Sequence, residues 1–287
     1  MSGLGALLTA IVTPFDEQLR VDEEAFTNLH HHLCEHGSDG VVAVGTTGEA
    51  STLDDAEHLR VIQLACENRP AGTTVIGGTG SNDTRHACHL TERATELGVD
   101  AVLVVTPYYN RPNRRGIVRH YEEVAKATDK PIVLYNIPQR TGVDMPNDLL
   151  AELAQIDGIS AVKQANNDNL AIVDGLDLYA GNDEILGKTL DLGGAGGICV
   201  ASHVAGDQMK RMVTEPEARA EIDEQLAPLL DALGIAPACI SAKAALKLLG
   251  VIETSSVRLP MVDASETEVG VIRRGLQSIG LLEGVTS

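Results

Sequence analysis

Short apolar, β-branched runs alternate with longer segments whose apolar positions recur every three or four residues, from the start of the chain to about residue 212. The first kind predicts strands buried on both faces, the second amphipathic helices, and their alternation predicts parallel βα units. Eight strand-like runs can be counted: Leu7–Val12, Gly40–Val44, Thr74–Ile76, Ala101–Val105, Ile132–Tyr135, Ile159–Lys163, Leu176–Tyr179 and Gly197–Val200. Helical patterns between them cover Asp22–Glu35, Asp54–Glu67, Thr84–Leu97, Arg114–Ala127, Pro146–Gln155 and Glu184–Leu192. Pro146 suits a first helical turn, a cap fits between Asn82 and Thr84, and Gly98 suits a helix stop.

Eight strands in about 200 residues, repeating roughly every 25 to 30, fit a (β/α)8 TIM barrel of the α/β class better than an open doubly wound sheet. No dinucleotide fingerprint supports the open sheet. Gly77-Gly78-Thr79-Gly80 follows a strand, but Asp83 stands where the last glycine of G-x-G-x-x-G belongs, and Gly193–Gly197 precedes a strand instead of following one. From about Val213 the pattern is wholly helical, broken by Pro216, Pro237 and Pro260 into about three helices. The expected organisation is therefore a catalytic barrel over residues 1–212 with a C-terminal helical extension over 213–287.

Composition narrows the partners. A formal charge of −19 opposes binding to nucleic acid and to anionic membrane surfaces, which need clustered Lys and Arg. A small anion remains compatible with it, because salt screens remote charge over about 10 Å. No apolar stretch reaches the roughly 20 residues of a membrane span, and the N-terminus lacks a basic secretory start, so a cytoplasmic protein is expected. The five cysteines, Cys34, Cys66, Cys88, Cys199 and Cys239, are widely spaced without a C-x-x-C pair, as incidental thiols are. His30, His31 and His32 are consecutive, and consecutive residues on a helix splay by about 100°. Only His32 and His36 share a face, away from the catalytic end, so no metal site is expected.

The chemistry collects where the strands end, the catalytic face of such a barrel. Lys163 closes the sixth run, in a chain with seven lysines. An ammonium there loses hydration, which costs free energy unless the group is paired or sheds its proton, and the second option makes a nucleophile. The other six look ordinary: Lys130 precedes a strand, and Lys126, Lys188, Lys210, Lys243 and Lys247 fall in helical patterns. A lysine with an ordinary pKa is neutral in only about one molecule in 2,500 at pH 7, so desolvation or a neighbouring cation such as Arg140 is required. Imine formation also needs a proton carrier, and Tyr135, one strand over, is the candidate, with Thr46 and Tyr109 passing the proton onward. The turn Gly45-Thr46-Thr47-Gly48-Glu49 offers hydroxyls and N–H groups to a carboxylate. Taken singly, each has an unremarkable reading as a packed tyrosine, a turn or a surface arginine; their occurrence together on neighbouring strand ends favours a site. The residues alone leave open a metal-dependent barrel enzyme and a non-catalytic binding barrel.

The patterns Gly45-Thr46-Thr47-Gly48-Glu49, Thr106-Pro107-Tyr108-Tyr109-Asn110 and Tyr135-Asn136-Ile137-Pro138-Gln139-Arg140-Thr141 resemble those of the dihydrodipicolinate synthases. These lie within the wider family of class I pyruvate-dependent aldolases, and the likeness runs from Ala10–Phe15 to Arg258-Leu259-Pro260. The resemblance implies a Schiff base between Lys163 and pyruvate, with no metal or organic cofactor. It implies a relay of Tyr135, Thr46 and Tyr109, the last reaching into a neighbouring subunit of a homo-oligomer, a tetramer or dimer. Thr46 and Thr47 would bind the pyruvate carboxylate, Gly181 and Ile198 would line the pocket, and Arg140 would hold L-aspartate 4-semialdehyde. Sugar-acid aldolases that use the same imine are the alternative, and Arg140 argues against them. Three departures stand out. Gln164 replaces the usual Glu after the lysine, the stretch from Lys163 to Leu178 is short enough to truncate the sixth helix, and Asp55 and His86 stand where lysine-inhibited members carry His and Glu, beside Asn82, His58 and Tyr108.

Overall fold

In the computed structural model, which describes residues 3–283, eight parallel strands close into a barrel in chain order. They are β1 (Leu7–Thr9), β2 (Gly40–Ala43), β3 (Thr74–Gly78), β4 (Ala101–Val105), β5 (Ile132–Asn136), β6 (Ile159–Gln164), β7 (Asp177–Ala180) and β8 (Gly196–Cys199). Alternation along each strand splits the apolar residues into two layers. Leu8, Val42, Ile76, Leu103, Val133, Ala161 and Ile198 fill the interior. Val41, Val75, Val102, Leu134, Val162 and Leu178 pack outward under the helices. Burial on both faces explains why the strands read as continuous apolar runs.

The helices of the barrel are α1 (Glu23–Glu35), α2 (Asp55–Glu67), α3 (Thr84–Glu96), α4 (Arg114–Ala125), the single turn α5 (Pro138–Thr141), α6 (Asn147–Leu153), α7 (Leu186–Asp191) and α8 (Ser202–Thr214). Asp22, Asp54, Asp83 and Asn113 cap four of them by accepting a backbone N–H of the first turn. The cap of α3 is thus Asp83, and Pro146 sits just before α6 instead of inside it. Between β6 and β7 there is no α-helix, only a 3-10 turn over Asn167–Asn169. Three further helices follow: α9 (Arg219–Leu233), α10 (Ala238–Leu248) and α11 (Glu266–Ser278). They share a second apolar core with α7 and α8 through Leu186, Met209, Leu229, Ala245 and Leu276. Among the described residues no single helix is long and apolar enough to cross a membrane.

Candidate active site

Strand alternation turns Ala161 and Lys163 into the barrel, and the ladder sets Lys163 between Tyr135 of β5 and Tyr179 of β7. Lys163 is 5% exposed, and its Nζ lies 4.5 Å from the centroid of the Tyr135 ring. No hydrogen-bond or ion-pair partner of that ammonium exists among the described residues. A buried lysine nitrogen over a π face, with no carboxylate beside it among the described residues, is not explained as half of an ion pair. Below it, the Tyr179 hydroxyl donates to the Gly5 carbonyl at 3.0 Å and closes the floor.

The turn after β2 is bracketed by Val44 at φ 56° and Glu49 at φ 58°, both left-handed and neither glycine. Such conformations cost on the order of 1–3 kcal/mol each and persist only where the surroundings enforce them. Enforcement is visible here. Thr13 Oγ1 donates to the Gly48 carbonyl at 2.8 Å, and a Cβ on Gly78 would stand 2.4 Å from the Val44 carbonyl oxygen. Thr47 is buried, while Thr46 is exposed.

Arg140 lies in the single turn α5, exposed and without an ion-pair partner among the described residues. A cavity of about 290 Å³ brings together Thr47, Tyr135, Arg140, Lys163 and Gly181. A neighbouring cavity of about 280 Å³ shares the Tyr135, Ile137 and Arg140 wall and holds Thr46, Tyr108, His58 and an Asp55–His86 pair at 3.0 Å. Asn82 is outside that lining, its carbonyl accepting from Asn110. Gly181 must be glycine, since a Cβ would lie 2.8 Å from Ala165 Cβ. Ile198 is buried in the interior layer with Tyr135 and Tyr179. Tyr109 lines neither cavity; at φ 69° and 89% exposure it points its phenol away from the chain's own site.

The helical pattern around Lys243 misled. Far from an ordinary helix-surface lysine, it is fully buried, with Nζ 2.5 Å from Glu49 Oε1, and burial pushes its ammonium below the usual lysine range. The partner is 194 residues away in sequence, so helical periodicity carries no trace of the pair. Asp183 was missed as a tie: its carboxylate accepts the Val200 and Ala201 N–H groups at 2.8 and 3.0 Å, joining the ends of β7 and β8. Burial raises this carboxyl above its ordinary value, against the lowering effect of those two bonds. The rings of His32 and His36 lie 4.4 Å apart, and His36 pairs with Asp207. No group of three or more His, Cys, Asp or Glu among the described residues is arranged to hold a metal ion.

The model of the dihydrodipicolinate synthetase family matches residues 3–278. A 4-hydroxy-tetrahydrodipicolinate synthase of Heliobacterium modesticaldum is 40% identical over 289 residues, covering 96% of this chain and 96% of that one. Among solved structures, the dihydrodipicolinate synthase of Cyanidioschyzon merolae with lysine bound matches with a TM-score of 0.93 at 36% identity, over 98% of this chain and 99% of that one. The chloride-inhibited dihydrodipicolinate synthase of Acinetobacter baumannii complexed with pyruvate matches with a TM-score of 0.93 at 35% identity, over 97% and 100%.

Proposed function

The chain belongs to the dihydrodipicolinate synthetase family, and from that premise we propose how its own residues condense pyruvate with L-aspartate 4-semialdehyde to 4-hydroxy-tetrahydrodipicolinate, on the way to diaminopimelate and lysine. The observation that carries the reading is Lys163, buried, facing the cavity and without a counter-ion among the described residues. Its neutral amine adds to the pyruvate keto carbon, and the carbinolamine loses its hydroxyl as water once a proton is delivered. The resulting iminium acidifies the pyruvate methyl group. Loss of that proton gives an enamine, whose carbon attacks the aldehyde of the second substrate. The amine of that substrate then displaces Lys163 as the ring closes, so one water leaves per product and no redox partner or cofactor is needed.

Tyr135, against the Lys163 ammonium, is the proton carrier at each of these steps. Thr46 stands next along the wall that Tyr135 shares with the second cavity. The exposed Tyr109 supplies the third hydroxyl to the site of a second copy, which makes the working unit a homo-oligomer. The Thr46–Thr47 turn takes the pyruvate carboxylate, Arg140 takes the carboxylate of the semialdehyde, and Gly181 and Ile198 shape the floor and side of the pocket. Borohydride reduction in the presence of pyruvate, followed by mass mapping, is expected to place a single adduct on Lys163. An adduct on another lysine, or none, would overturn this reading.

A further inference from the structure

The C-terminal extension touches the Lys163 cavity twice. Ala236, Ala238 and Ser241 line it directly, and Lys243 of the same helix reaches under the turn that carries Thr46 and Thr47. Its Nζ donates to Glu49 Oε1 at 2.5 Å and to the Ser256 carbonyl at 2.8 Å, and it lies 4.1 Å from the Phe15 ring centroid. The other Glu49 oxygen accepts the Arg258 backbone N–H at 3.0 Å. Arg258 is itself fixed, its guanidinium donating to the Leu19 and Thr52 carbonyls and to Glu57 and stacking 4.4 Å from the same Phe15 ring.

Both oxygens of Glu49 are thus held by groups from the end of the chain, while Glu49 makes no side-chain hydrogen bond within its own turn. The residue they hold is left-handed and not glycine, a conformation that an unheld chain leaves. A fully desolvated ion pair is a poor source of net stability, because its desolvation cost offsets its attraction, but it enforces one geometry. We propose that Lys243 and Glu49 are positioning residues: their buried pair, closed by the Arg258 N–H, locks the Thr46–Thr47 turn so that it receives the pyruvate carboxylate. The C-terminal extension thereby sets the affinity for the first substrate. This inference rests on the assignment of that turn to pyruvate.

The test compares steady-state kinetics of the wild type with Glu49→Gln and with the double variant Glu49→Leu/Lys243→Met, which leaves no unpaired buried charge. The double variant is expected to fold and to trap pyruvate on Lys163 at saturation. Its KM for pyruvate should rise about 10-fold or more, as misplacement of a binding group does, with the KM for the semialdehyde shifting less than about 2-fold. Glu49→Gln keeps an acceptor for Lys243 and should fall between; it decides the matter if the double variant does not fold. A wild-type KM for pyruvate in a folded variant overturns the proposal, as does an equal rise in both KM values, which marks a merely structural role. Failure of the wild type to trap pyruvate on Lys163 overturns the site assignment itself and this inference with it.

Discussion

Arg140 and Lys163 line one cavity, neither with an ion-pair partner among the described residues, and they differ in what each can do there. Lys163 is buried on a rigid strand with no counter-ion among the described residues, whereas Arg140 is exposed on a single helical turn and presents a planar guanidinium fork. A guanidinium binds a carboxylate through two parallel N–H donors, worth about 1.5–3 kcal/mol per charge-assisted contact. Arg140→Ala is therefore expected to lower kcat/KM for the semialdehyde by roughly 10- to 150-fold, with imine formation from pyruvate retained. Arg140→Lys keeps the charge without the fork and should recover only part of that loss. Full condensation activity in the alanine variant, measured at limiting semialdehyde, would remove Arg140 from substrate recognition. Lys163 was legible because an ammonium closing a β-branched run has no packing explanation. Lys243 was not, because one polar residue per helical turn is what a solvent-facing helix shows, and only the tertiary position of α10, buried along almost its whole length, turns it inward.

At the scale of elements, the apolar runs located every strand, since each is buried on both faces, but they misjudged where the strands stop. The first run continues to Val12 whereas β1 ends at Thr9, because Ala10 and Ile11 remain buried while bonding singly to Cys199 and Val42. The third run stops at Ile76 whereas β3 continues through Gly77 and Gly78, which carry no apolar signal yet complete the ladder with Val102 and Leu103. These ends are where the site is built, so errors of two or three residues there matter more than elsewhere. The junction of β6 and β7 shows it: Gly181 donates to the Gln164 carbonyl at 2.7 Å and lies against Ala165, with no α-helix in the β6–β7 connection to relieve a displacement. Gly181→Ala puts a methyl 2.8 Å from Ala165 Cβ, which forces these strand ends apart. Its expected effect is a loss of about 10-fold or more in kcat/KM for both substrates, since Lys163 and the pocket wall move together. Unchanged kinetics with an unchanged melting temperature would show that the strand ends have slack.

For the molecule as a whole, the charge of −19 sets a field without choosing a ligand, and three buried histidines weaken the fold on the acid side. His30, His120 and His203 are buried, and desolvation holds each imidazole down to about 4 from an ordinary 6.5. His203 is fixed as the neutral ring: Nδ1–H donates to the Val200 carbonyl at 2.7 Å, and Nε2 accepts the Val12 N–H at 3.1 Å, which a second ring proton would oppose. Among the described residues, His120 Nε2 has no hydrogen-bond partner, and neither has either ring nitrogen of His30. As the pH falls below about 6.5, the unfolded chain takes up protons that the folded chain refuses until about 4. The histidine contribution to stability must therefore fall with pH across that window, by up to about 1.4 kcal/mol per pH unit for each histidine, and is fully lost below it. His30→Leu isolates the effect, since it removes two unsatisfied buried atoms together with one titrating group. It is expected to raise the melting temperature at pH 7 by a few degrees, about 1–3 kcal/mol of recovered desolvation. It should also make the decline between pH 6.5 and 4 shallower by one histidine's share. Thermal unfolding at pH 7 reads the first effect and urea unfolding at half-unit pH steps the second, and a variant whose decline is as steep as that of the wild type would mean that His30 is not held neutral by the fold.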